Sequence, residues 1–407
     1  MSKGNKTIVL AGAFDTKGAE YQFVKQLIEA TGSQTLTIDF GVMGTAFFAP
    51  DIDRTAVATA AGAELTSLAD GNHKDEAMRA MGLGLAKIVA ELYTTGKLDG
   101  ILAMGGSGGT SIATTAMRVL PVGVPKVMVS TIPGGNIAPY AGDKDIVFMP
   151  SVVDVSGINR ISRDIYTNAA GAIVGMVDME KRQGDDKPLI VASMFGNTTP
   201  CITRAREALE SKGYEVLVFH ATGNGGRTME SLIADGYISA SLDITTTELA
   251  DEVCGGALSA GPERMLAAAR QGIPTVLSVG CIDMANFHGR VGVPAHYQQR
   301  KIYEWNPQVA LMRTNVEENQ RIGEMIAAAA NASSGPVAIL LPLKGVSMLD
   351  SEGQPFWDPA ADAACFEAIK RNVKPTVHVI EMENNVNDPA FADKAVELLL
   401  ELYARKS

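Results

Sequence analysis

A glycine-rich run could bind a phosphate group through backbone N–H groups and side-chain hydroxyls. The run follows a strand-like apolar segment and precedes a segment with helical periodicity, and it consists of Gly105, Gly106, Ser107, Gly108, Gly109 and Thr110. Because glycine has no Cβ, successive N–H groups can converge on an anion at the positive end of a helix, where Ser107 and Thr110 add hydroxyl donors. A crowded turn is the alternative, but four glycines and two hydroxyls exceed what a turn needs. The run lacks the Lys of a P-loop, and Ser111 stands where GxGxxG requires its last glycine.

Three polar residues after the first predicted strand could complete this site. Lys17 could neutralise a phosphate, Thr16 could donate a hydrogen bond to it, and Asp15 could hold a hydrated magnesium ion or a ribose hydroxyl. The alternative is that Asp15 or Thr16 is only the N-cap of the following helix. Ser130 and Thr131 follow a further predicted strand and offer two more hydroxyls, although a plain turn explains this pair equally well. In parallel sheets ligands collect at the carboxyl ends of strands, so all these segments are expected at one edge.

A second glycine-rich region lies in the second half of the sequence. It comprises Gly223, Gly225, Gly226 and Arg227 after one predicted strand, together with Gly255, Gly256 and Arg264 further along. Such glycines could open a second anion-binding mouth, in which the two arginines would pair with a carboxylate or a phosphate. The alternative is that the glycines serve turns and the arginines are solvated. Under the first interpretation, a small anionic metabolite binds here.

The segment at residues 280–303 has no clear periodicity but carries several groups that titrate or bear charge. They are Asp283, His288, Arg290 and His296. A loop of this length could be an active-site lid that holds an acid–base histidine. Exposed and merely solvated histidines are the more common case. The spacing of these residues is no metal signature.

The elements that must position these residues alternate between strand-like and helical segments. In the first half, strands are predicted at residues 7–12, 35–39, 100–104, 126–130 and 145–149, and helical periodicity covers residues 20–30, 76–93 and 110–120. Alternation of this kind, with nearly continuous apolar strands, predicts a buried parallel sheet with helices on both faces. A long helix at residues 159–180 then enters a polar stretch at residues 181–188, which is the predicted domain boundary.

The same pattern begins again after this boundary. Strands are predicted at residues 189–193, 215–220, 238–243, 274–279, 309–312, 337–341 and 376–381, and a last helix at residues 389–404. The two halves also align in sequence without a gap, with pairs 181 residues apart such as Phe14 with Phe195, Gly32 with Gly213 and Asp39 with His220. This repeat predicts an α/β fold of two Rossmann-like, doubly wound subdomains with mainly parallel sheets. Residues 1–182 form the predicted nucleotide-binding subdomain, and residues 188–407 a predicted substrate or partner subdomain.

Composition and charge argue against several classes of protein. The chain has 407 residues, 46% of them hydrophobic, and a formal net charge of −11, so a general electrostatic attraction to nucleic acid is not expected. No apolar run reaches the roughly 18 residues that span a bilayer, and the first residues show no signal-peptide pattern, so we expect a cytoplasmic protein without membrane partners. The cysteines form no CxxC pair, as they stand at Cys201, Cys254, Cys281 and Cys365. We therefore expect no resident transition metal, only magnesium that accompanies a nucleotide.

Several phrases of the sequence, taken together, resemble one known family. They are GAFDTKGAE, MGGSGGTSIATTAMRVLP, SVVDVSGINRISR, SMFGNTTPCI, DITTTELADEVCGGALSAGPER and LPLKGVSMLD, and they are spread over nearly the whole chain. The sequence is similar to the ATP-binding inhibitory domain of the tomato mosaic virus resistance protein and its bacterial relatives. The resemblance implies two Rossmann-like subdomains, a homodimer, and ATP with magnesium bound in the first subdomain. It places the nucleotide on Asp15, Thr16 and Lys17 and on the glycines of residues 105–109.

The resemblance also bears on partners and substrate. In the plant protein the related domain binds a viral replication protein and precedes a barrel domain, so a separate barrel-domain protein is a conceivable partner here. Trp305 and Asn385 stand where the resemblance leads us to expect His, and Lys74 lies near an expected Arg. If these positions serve a substrate, the substrate site of this chain differs from that of its relatives.

Two functions remain open from the sequence. In the first, ATP and a small anionic metabolite react by phosphoryl transfer or ATP-driven activation between the subdomains. In the second, ATP only orders a surface that a protein partner recognises, and the absence of a recognisable nucleophile or base near the glycine-rich run favours this view. In either case we expect Gly106→Val or Gly108→Val to abolish nucleotide binding, because the added carbons would block the approach of the phosphates.

Overall fold

The computed structural model describes residues 6–69, 74–180, 184 and 186–406. The chain divides into two compact units, Met1–Arg182 and Gln183–Ser407. Of the polar stretch predicted as the boundary, residues 181–183 and 185 lie outside the described residues. No helix in the described ranges is long and apolar enough to cross a membrane.

The first unit alternates strands and helices along the chain. Its strands are β1 (Thr7–Gly12), β2 (Gln34–Asp39), β3 (Gly100–Gly105), β4 (Lys126–Ser130) and β5 (Val147–Pro150). Its helices are α1 (Phe14–Glu29), α2 (Arg54–Ala60), α3 (Leu65–Leu68), α4 (Lys74–Thr94), α5 (Ser107–Met117), α6 (Ala138–Ala141) and α7 (Arg160–Asp178).

The strands of the first unit form one parallel sheet in the order β2-β1-β3-β4-β5. Side chains of β1 alternate between two apolar clusters, with Val9 and Ala11 on one face and Ile8 and Leu10 on the other. Because both faces are buried, the strands are apolar almost throughout. The parallel sheet with helices on both faces is therefore confirmed for this unit.

Helix α1 begins at Phe14, earlier than the sequence periodicity predicts. The backbone N–H of Phe14 donates to Asp39 Oδ1 at 3.0 Å, so a carboxylate at the end of β2 satisfies one of the first N–H groups of the helix. Within the first turns Lys17 has non-helical angles, with φ −132° and ψ 20°. This kink explains why regular helical periodicity starts only after it.

The second unit repeats the alternation and adds strands. Its strands are β6 (Leu189–Met194), β7 (Glu215–His220), β8 (Ala240–Thr245), β9 (Thr275–Gly280), β10 (Met284–His288), β11 (Ile302–Asn306), β12 (Val309–Arg313), β13 (Val337–Pro342) and β14 (His378–Met382). Its helices are α8 (Thr199–Glu210), α9 (Asn224–Ala234), α10 (Thr247–Cys254), α11 (Leu266–Gln271), α12 (Val316–Ala332), α13 (Pro359–Asn372) and α14 (Pro389–Lys406).

The main sheet of the second unit is also parallel, in the order β14-β13-β9-β8-β6-β7. In both units the first strand of the sheet lies between the second and the third along the chain. The predicted α/β class, with two doubly wound and mainly parallel sheets, is confirmed. The sequence repeat therefore corresponds to a repeat of topology.

One part of the second unit differs from the prediction. Residues 309–312 lie in β12, the central strand of a separate antiparallel sheet in the order β10-β12-β11, and do not join the parallel sheet. Residues 280–303 are not one irregular segment, because they contain β10 and the start of β11. Asn286 is buried in the middle of β10, where its side-chain amide donates to Asp251 Oδ2 at 2.7 Å. This buried polar residue interrupts the apolar run that would otherwise indicate a strand.

Candidate functional site

The strand order of the first unit reverses at β1, because β2 lies on one side of it and β3 to β5 on the other. Such a switch point leaves a crevice at the carboxyl ends of the two diverging strands, where doubly wound sheets bind ligands. Here the β1–α1 connection carries Asp15, Thr16 and Lys17, and the β3–α5 connection carries the glycine-rich run. The topology thus brings the two strongest sequence motifs to adjacent strand ends.

A cavity of about 380 Å³ lies at this crevice, within the size range of small-molecule sites. Both motifs contribute to its wall, through Asp15, Thr16 and Lys17 on one side and Gly108 and Gly109 on the other. Most of the remaining wall is apolar and comes from the loop after β2 and from α3, α4, β3 and α5. Its apolar residues are Phe40, Val42, Met43, Leu68, Ala77, Met78, Met81, Met104 and Ile112. The cavity wall therefore combines a few polar groups with a largely apolar surface.

The side chain of Asp15 is almost fully buried, and only one of its two carboxylate oxygens has hydrogen-bond partners. Its Oδ2 accepts hydrogen bonds from the backbone N–H groups of Met43 and Gly44, both at 3.0 Å, and lies 3.6 Å from Arg54 Nη1. Its Oδ1 is buried without any hydrogen-bond partner. A buried carboxylate oxygen left in this way costs free energy unless a ligand, ion or water satisfies it.

Lys17 lines the cavity, but its ammonium group is directed to the backbone. Lys17 Nζ donates to the carbonyl oxygen of Val155, on the segment that follows β5. Thr16 makes a long hydrogen bond from Oγ1 to Ala13 O at 3.4 Å and is exposed. Of the three residues predicted at this strand end, all line the cavity, and Lys17 would have to turn from Val155 to reach a bound anion.

The glycine-rich run spans the end of β3 and the first turn of α5, which begins at Ser107. The first N–H groups of a helix have no acceptor within it, so they can serve an anion. All four hydroxyls of this region are predicted to face a ligand, but two of them are buried. Thr110 and Ser130 are fully buried and hydrogen-bonded to each other at 2.7 Å, whereas Ser107 and Thr131 are exposed. Thr110 and Ser130 thus stabilise the loop from within, because their hydroxyls are already paired.

The second glycine-rich region has a different character from the one predicted. Arg264 is buried and its guanidinium group pairs with three carboxylates: Asp243 at 2.6 Å and 2.7 Å, Glu248 at 2.6 Å and Glu230 at 3.1 Å. Burial raises the pKa of Glu230 despite the attraction of Arg264. An external anion would have to displace these carboxylates, so the guanidinium belongs to an internal ion cluster.

The glycines of that region also face groups of the protein. The N–H groups of Gly223 and Gly226 donate to Glu248 Oε1 at 2.7 Å and 3.1 Å. Gly225 packs against the carbonyl of His220, and Gly256 packs against the Asp251 carboxylate. Two residues remain from the predicted set: Gly255 ends α10 with a positive φ of 67°, and Arg227 donates to Ser259 O at 3.0 Å. The anion at this helix start is the protein's own Glu248.

The residues predicted as a lid do not form a group. Asp283 is fully buried and accepts a hydrogen bond from Ser347 Oγ at 2.8 Å, whereas His288 and His296 are exposed. Burial raises the pKa of Asp283, with the Asp350 carboxylate adding to the effect. The interpretation as solvated histidines fits this geometry better than an acid–base lid.

Several residues outside the predicted motifs support the first crevice. Asp39 Oδ1 accepts from Phe14 N and Gly41 N, and its Oδ2 accepts from Arg54 Nε at 2.9 Å. Tyr21 Oη lies between the diverging strands, where it accepts from Met104 N at 2.6 Å and is 2.7 Å from Ala11 O. Burial raises the pKa of Tyr21 far above its usual value. The position of Asp39 at a strand end is a signal in the sequence, whereas Tyr21 and Arg54 have none.

Lys74 is the second cation on the cavity wall in the described part of the chain. It begins α4, directly after residues 70–73, which are not described. Lys74 lies near a position where the resemblance to the related family leads us to expect Arg. Because Lys74 lines the cavity, a Lys in place of Arg at this position changes the surface that a ligand would contact.

Known structures offer only a remote likeness. The glycosyltransferase SsfS6 of Streptomyces sp. SF2575, complexed with thymidine diphosphate, is 14% identical, with 98% of this chain and 96% of that chain covered and a TM-score of 0.19. A UDP-N-acetylglucosamine 2-epimerase from Rickettsia bellii is 9% identical, with 99% and 98% covered and a TM-score of 0.24. A likeness at this level carries no argument about function.

The sequence relatives are much closer. A UPF0261 protein of Clostridium tetani is 48% identical over 400 residues, which cover 98% of this chain and 99% of the relative. The ToMV resistance protein Tm-1(GCR237) of Solanum lycopersicum is 44% identical over 315 residues, which cover 75% of this chain and 42% of that protein. Residues 6–182 match the N-terminal domain, and residues 187–403 the C-terminal domain, of the family described as Uncharacterised protein family (UPF0261). Since these matches extend over both units, the chain belongs to the UPF0261 family.

Proposed function

We propose that the chain binds ATP with magnesium in the cavity of the first unit and uses it to act on a small anionic metabolite, by phosphoryl transfer or ATP-driven activation. The observation that carries this proposal is the cavity of about 380 Å³ at the strand-order reversal, which both motifs line. Switch points of this kind bind nucleotides in doubly wound folds.

The polar and the apolar residues of the cavity wall suit the two parts of a nucleotide. The start of α5 offers backbone N–H groups and a positive helix end to the phosphates, and Gly108 and Gly109 of this turn line the cavity. Lys17 and Lys74 supply positive charge on the wall. The methionines of the wall would hold the base, because their side chains adapt their shape to flat rings.

Asp15 provides the test of whether the site fits magnesium. Its Oδ1 is buried and unpartnered while its Oδ2 is held by two backbone N–H groups, so the carboxylate is fixed with one oxygen unused. Magnesium prefers oxygen ligands and keeps most of its waters when bound beside phosphates. The residues present therefore fit the ion, which would neutralise phosphate charge when bound. A ribose hydroxyl would satisfy the same oxygen equally well.

A second function is favoured by one specific observation. Asp15 is the one side chain with a carboxylate on the cavity wall among the described residues, and no histidine or cysteine lines it. Phosphoryl transfer needs positioning and charge more than a strong base, so this observation does not oppose an enzyme. The lack of histidine and cysteine among the described wall residues nevertheless favours a nucleotide-dependent binding protein, in which ATP changes a surface that a partner recognises.

Calorimetry with Gly108→Val tests the placement of the nucleotide. Gly108 lines the cavity, and a Cβ there would lie 3.2 Å from Met78 Sδ, so valine would fill the space beside the phosphates. We expect the variant to lose at least tenfold in affinity for ATP with magnesium. Gly106→Val is a second variant that should fold, because a Cβ there meets only Thr131 Oγ1 at 3.9 Å.

The matched control is Gly171→Val, on an exposed turn of α7 where a Cβ meets no atom within 4 Å. Wild-type affinity in both Gly106→Val and Gly108→Val would contradict the placement of the nucleotide. Asp15→Asn separates the two roles of that residue, because loss of affinity only in the presence of magnesium indicates the ion, and equal loss with and without it indicates the ribose.

The choice between enzyme and binding protein needs a different experiment. The chain is incubated with ATP, magnesium and fractionated pools of anionic metabolites, and both ATP loss and new products are followed. Turnover that disappears in Gly108→Val supports the enzyme. Stoichiometric binding without ATP loss in any pool supports the binding protein.

A further inference from the structure

The segment at residues 151–158, here called the strap, follows β5 and is fastened to α1 by two contacts. Lys17 Nζ donates to Val155 O, and the N–H of Gly157 donates to Glu20 Oε1. Val155 is fully buried, in the same apolar cluster as Phe14. Glu20 is only 3% exposed. The middle of the strap is thus held by the Val155 side chain and two polar groups of α1. Its two ends are held by Ser151 N, which donates to Ser130 O at 2.9 Å, and by Gly157 O, which accepts from Ser162 Oγ at 3.2 Å.

The strap also contains a strained residue. Val152 has a φ of 61°, in the left-handed region, and its side chain is 77% exposed. A β-branched side chain rarely adopts this conformation, and it persists only where the surroundings enforce it. Val152 makes the fastened strap less stable, whereas the burial of Val155 stabilises it. The strain at Val152 therefore lowers the free energy needed to release the strap.

Lys17 connects the strap to the cavity, because it lines the cavity wall and fastens Val155 at once. The oxygens of a polyphosphate are stronger acceptors for an ammonium group than a neutral carbonyl oxygen. A bound nucleotide would therefore compete with Val155 for Lys17. The kink of α1 at Lys17 places this residue where the helix is already irregular.

We infer that nucleotide binding draws Lys17 away from Val155 and releases the strap, which exposes the apolar side chain of Val155. The inference rests on the proposed function, since it needs an anionic ligand at Lys17. It links nucleotide binding at the cavity to a conformational change in the strap. The released state differs from the fastened one in loss of the Lys17 contact and in relief of the strain at Val152.

Hydrogen–deuterium exchange of the full chain tests this inference directly. With saturating ATP and magnesium, the amides of residues 151–158 should exchange at least tenfold faster, while those of β4, which are buried in the sheet, remain unchanged. If calorimetry shows no binding of ATP, the proposed function and the inference fall together. If ATP binds and exchange in the strap is unchanged or slower, the inference alone is overturned.

Val152→Gly provides a second test that leaves Lys17 and the cavity intact. Glycine adopts a positive φ without strain, so the fastened strap becomes more stable. We expect slower exchange in the strap without nucleotide and a several-fold weaker affinity for ATP, because binding must now release a more stable contact. Val153→Gly is the control, since Val153 has no positive φ to relieve and should not weaken binding. Equal affinity in wild type and Val152→Gly would refute the coupling.

Discussion

Both units reverse their strand order at the first strand of the sheet, yet the crevices that result differ. In the first unit the crevice is a cavity with Asp15 and Lys17 on its wall. At the corresponding strand ends of the second unit, Thr198 Oγ1 and Thr245 Oγ1 are hydrogen-bonded at 2.8 Å, and both residues are fully buried. One topology therefore accompanies an open site in one unit and internal contacts in the other. The side chains at the strand ends, and not the fold, decide which unit can hold a ligand there.

The glycine-rich helix starts of the two units show the same contrast. In the first unit, Gly108 and Gly109 face the cavity. In the second unit, the N–H groups of Gly223 and Gly226 hold the carboxylate of Glu248, which is itself paired with Arg264. A helix N-terminus favours an anion in both cases, because its N–H groups and dipole are directed outward. Glycines at a helix start thus indicate an anion, but not whether the anion is a ligand or part of the protein.

The largest effect is expected from removing the cation of that internal cluster. Arg264→Met leaves Asp243, Glu248 and Glu230 buried together without their common partner. Removal of one member of a buried ion pair costs about 3–5 kcal/mol. Both tryptophans of the chain, Trp305 and Trp357, lie in the second unit, so urea unfolding followed by tryptophan fluorescence reports on this unit.

The control for this prediction is Arg270→Met, which removes an ion pair with Glu263 on the surface. The two side chains of that pair are 64% and 68% exposed, and such pairs contribute less than about 1 kcal/mol. If Arg264→Met does not unfold the chain, its unfolding midpoint should lie well below that of Arg270→Met. Equal midpoints would show that the cluster is not an internal support, and would reopen the region as a ligand site.

A medium effect is expected from the hydroxyl that bridges the diverging strands in each unit. Tyr21 Oη accepts from Met104 N at 2.6 Å, and Ser193 Oγ accepts from Thr245 N at 2.9 Å. Tyr21→Phe and Ser193→Ala would each leave a buried N–H unsatisfied, at a cost of about 1–3 kcal/mol. Circular dichroism in urea measures the loss, and amide exchange at Met104 and Thr245 locates it.

Tyr93→Phe, on the exposed end of α4, serves as the control and should change stability by less than about 0.5 kcal/mol. If Tyr21→Phe behaves like this control, the hydroxyl does not support the crevice. If only one of the two bridge variants is destabilised, the two units do not use equivalent supports.

Much of the fold can be predicted from the sequence because fully buried strands are continuous apolar runs. Strands β4 and β7 have the predicted bounds for this reason. The same rule fails for β10, where Asn286 is buried through its hydrogen bond to Asp251. The start of α1 escapes detection because the kink at Lys17 interrupts its period. Errors thus occur where a buried polar contact or a local distortion replaces the simple pattern.

The candidate site is predictable only where its residues are consecutive. Asp15 to Lys17 and the glycine-rich run are recognisable as short motifs at strand ends, and the cavity wall includes parts of both. Arg54 and Met78 come from helices whose residues have ordinary amphipathic spacing, so nothing in the sequence relates them to the site. The partner of Gly226 is Glu248, more than twenty positions away, which only the folded chain brings close.

The smallest effect, and the last difference between the units, concerns pH. In the first unit the shifted carboxyls, Glu29 and Asp145, have lowered pKa values, because their contacts with Lys25 and Lys126 outweigh the effect of burial. In the second unit burial raises the pKa of Asp251 to about 7, even though Asn286 donates two hydrogen bonds to it. Glu29 and Asp145 therefore lose their stabilising effect as pH falls through their lowered pKa values, whereas Asp251 loses its effect as pH rises through about 7.

The sign for Asp251 follows from its two pKa values. An unfolded Asp has a pKa of about 3.9, so the folded state holds the proton more tightly, and its stabilisation is complete below about pH 4 and lost as pH rises through about 7. Between pH 6 and pH 8 this one group should lower the free energy of unfolding by about 1 kcal/mol.

Asp251→Asn removes that dependence without removing the contact, because the unpartnered Oδ1 of Asn286 can turn to accept from the new amide. Asp393→Asn, which changes an exposed pair with Arg204, should leave the pH dependence in this range unaltered. Tryptophan-monitored urea unfolding at pH 6 and pH 8 measures the difference. An Asp251→Asn variant with the full wild-type slope would show that Asp251 is ionised in the folded protein throughout this range.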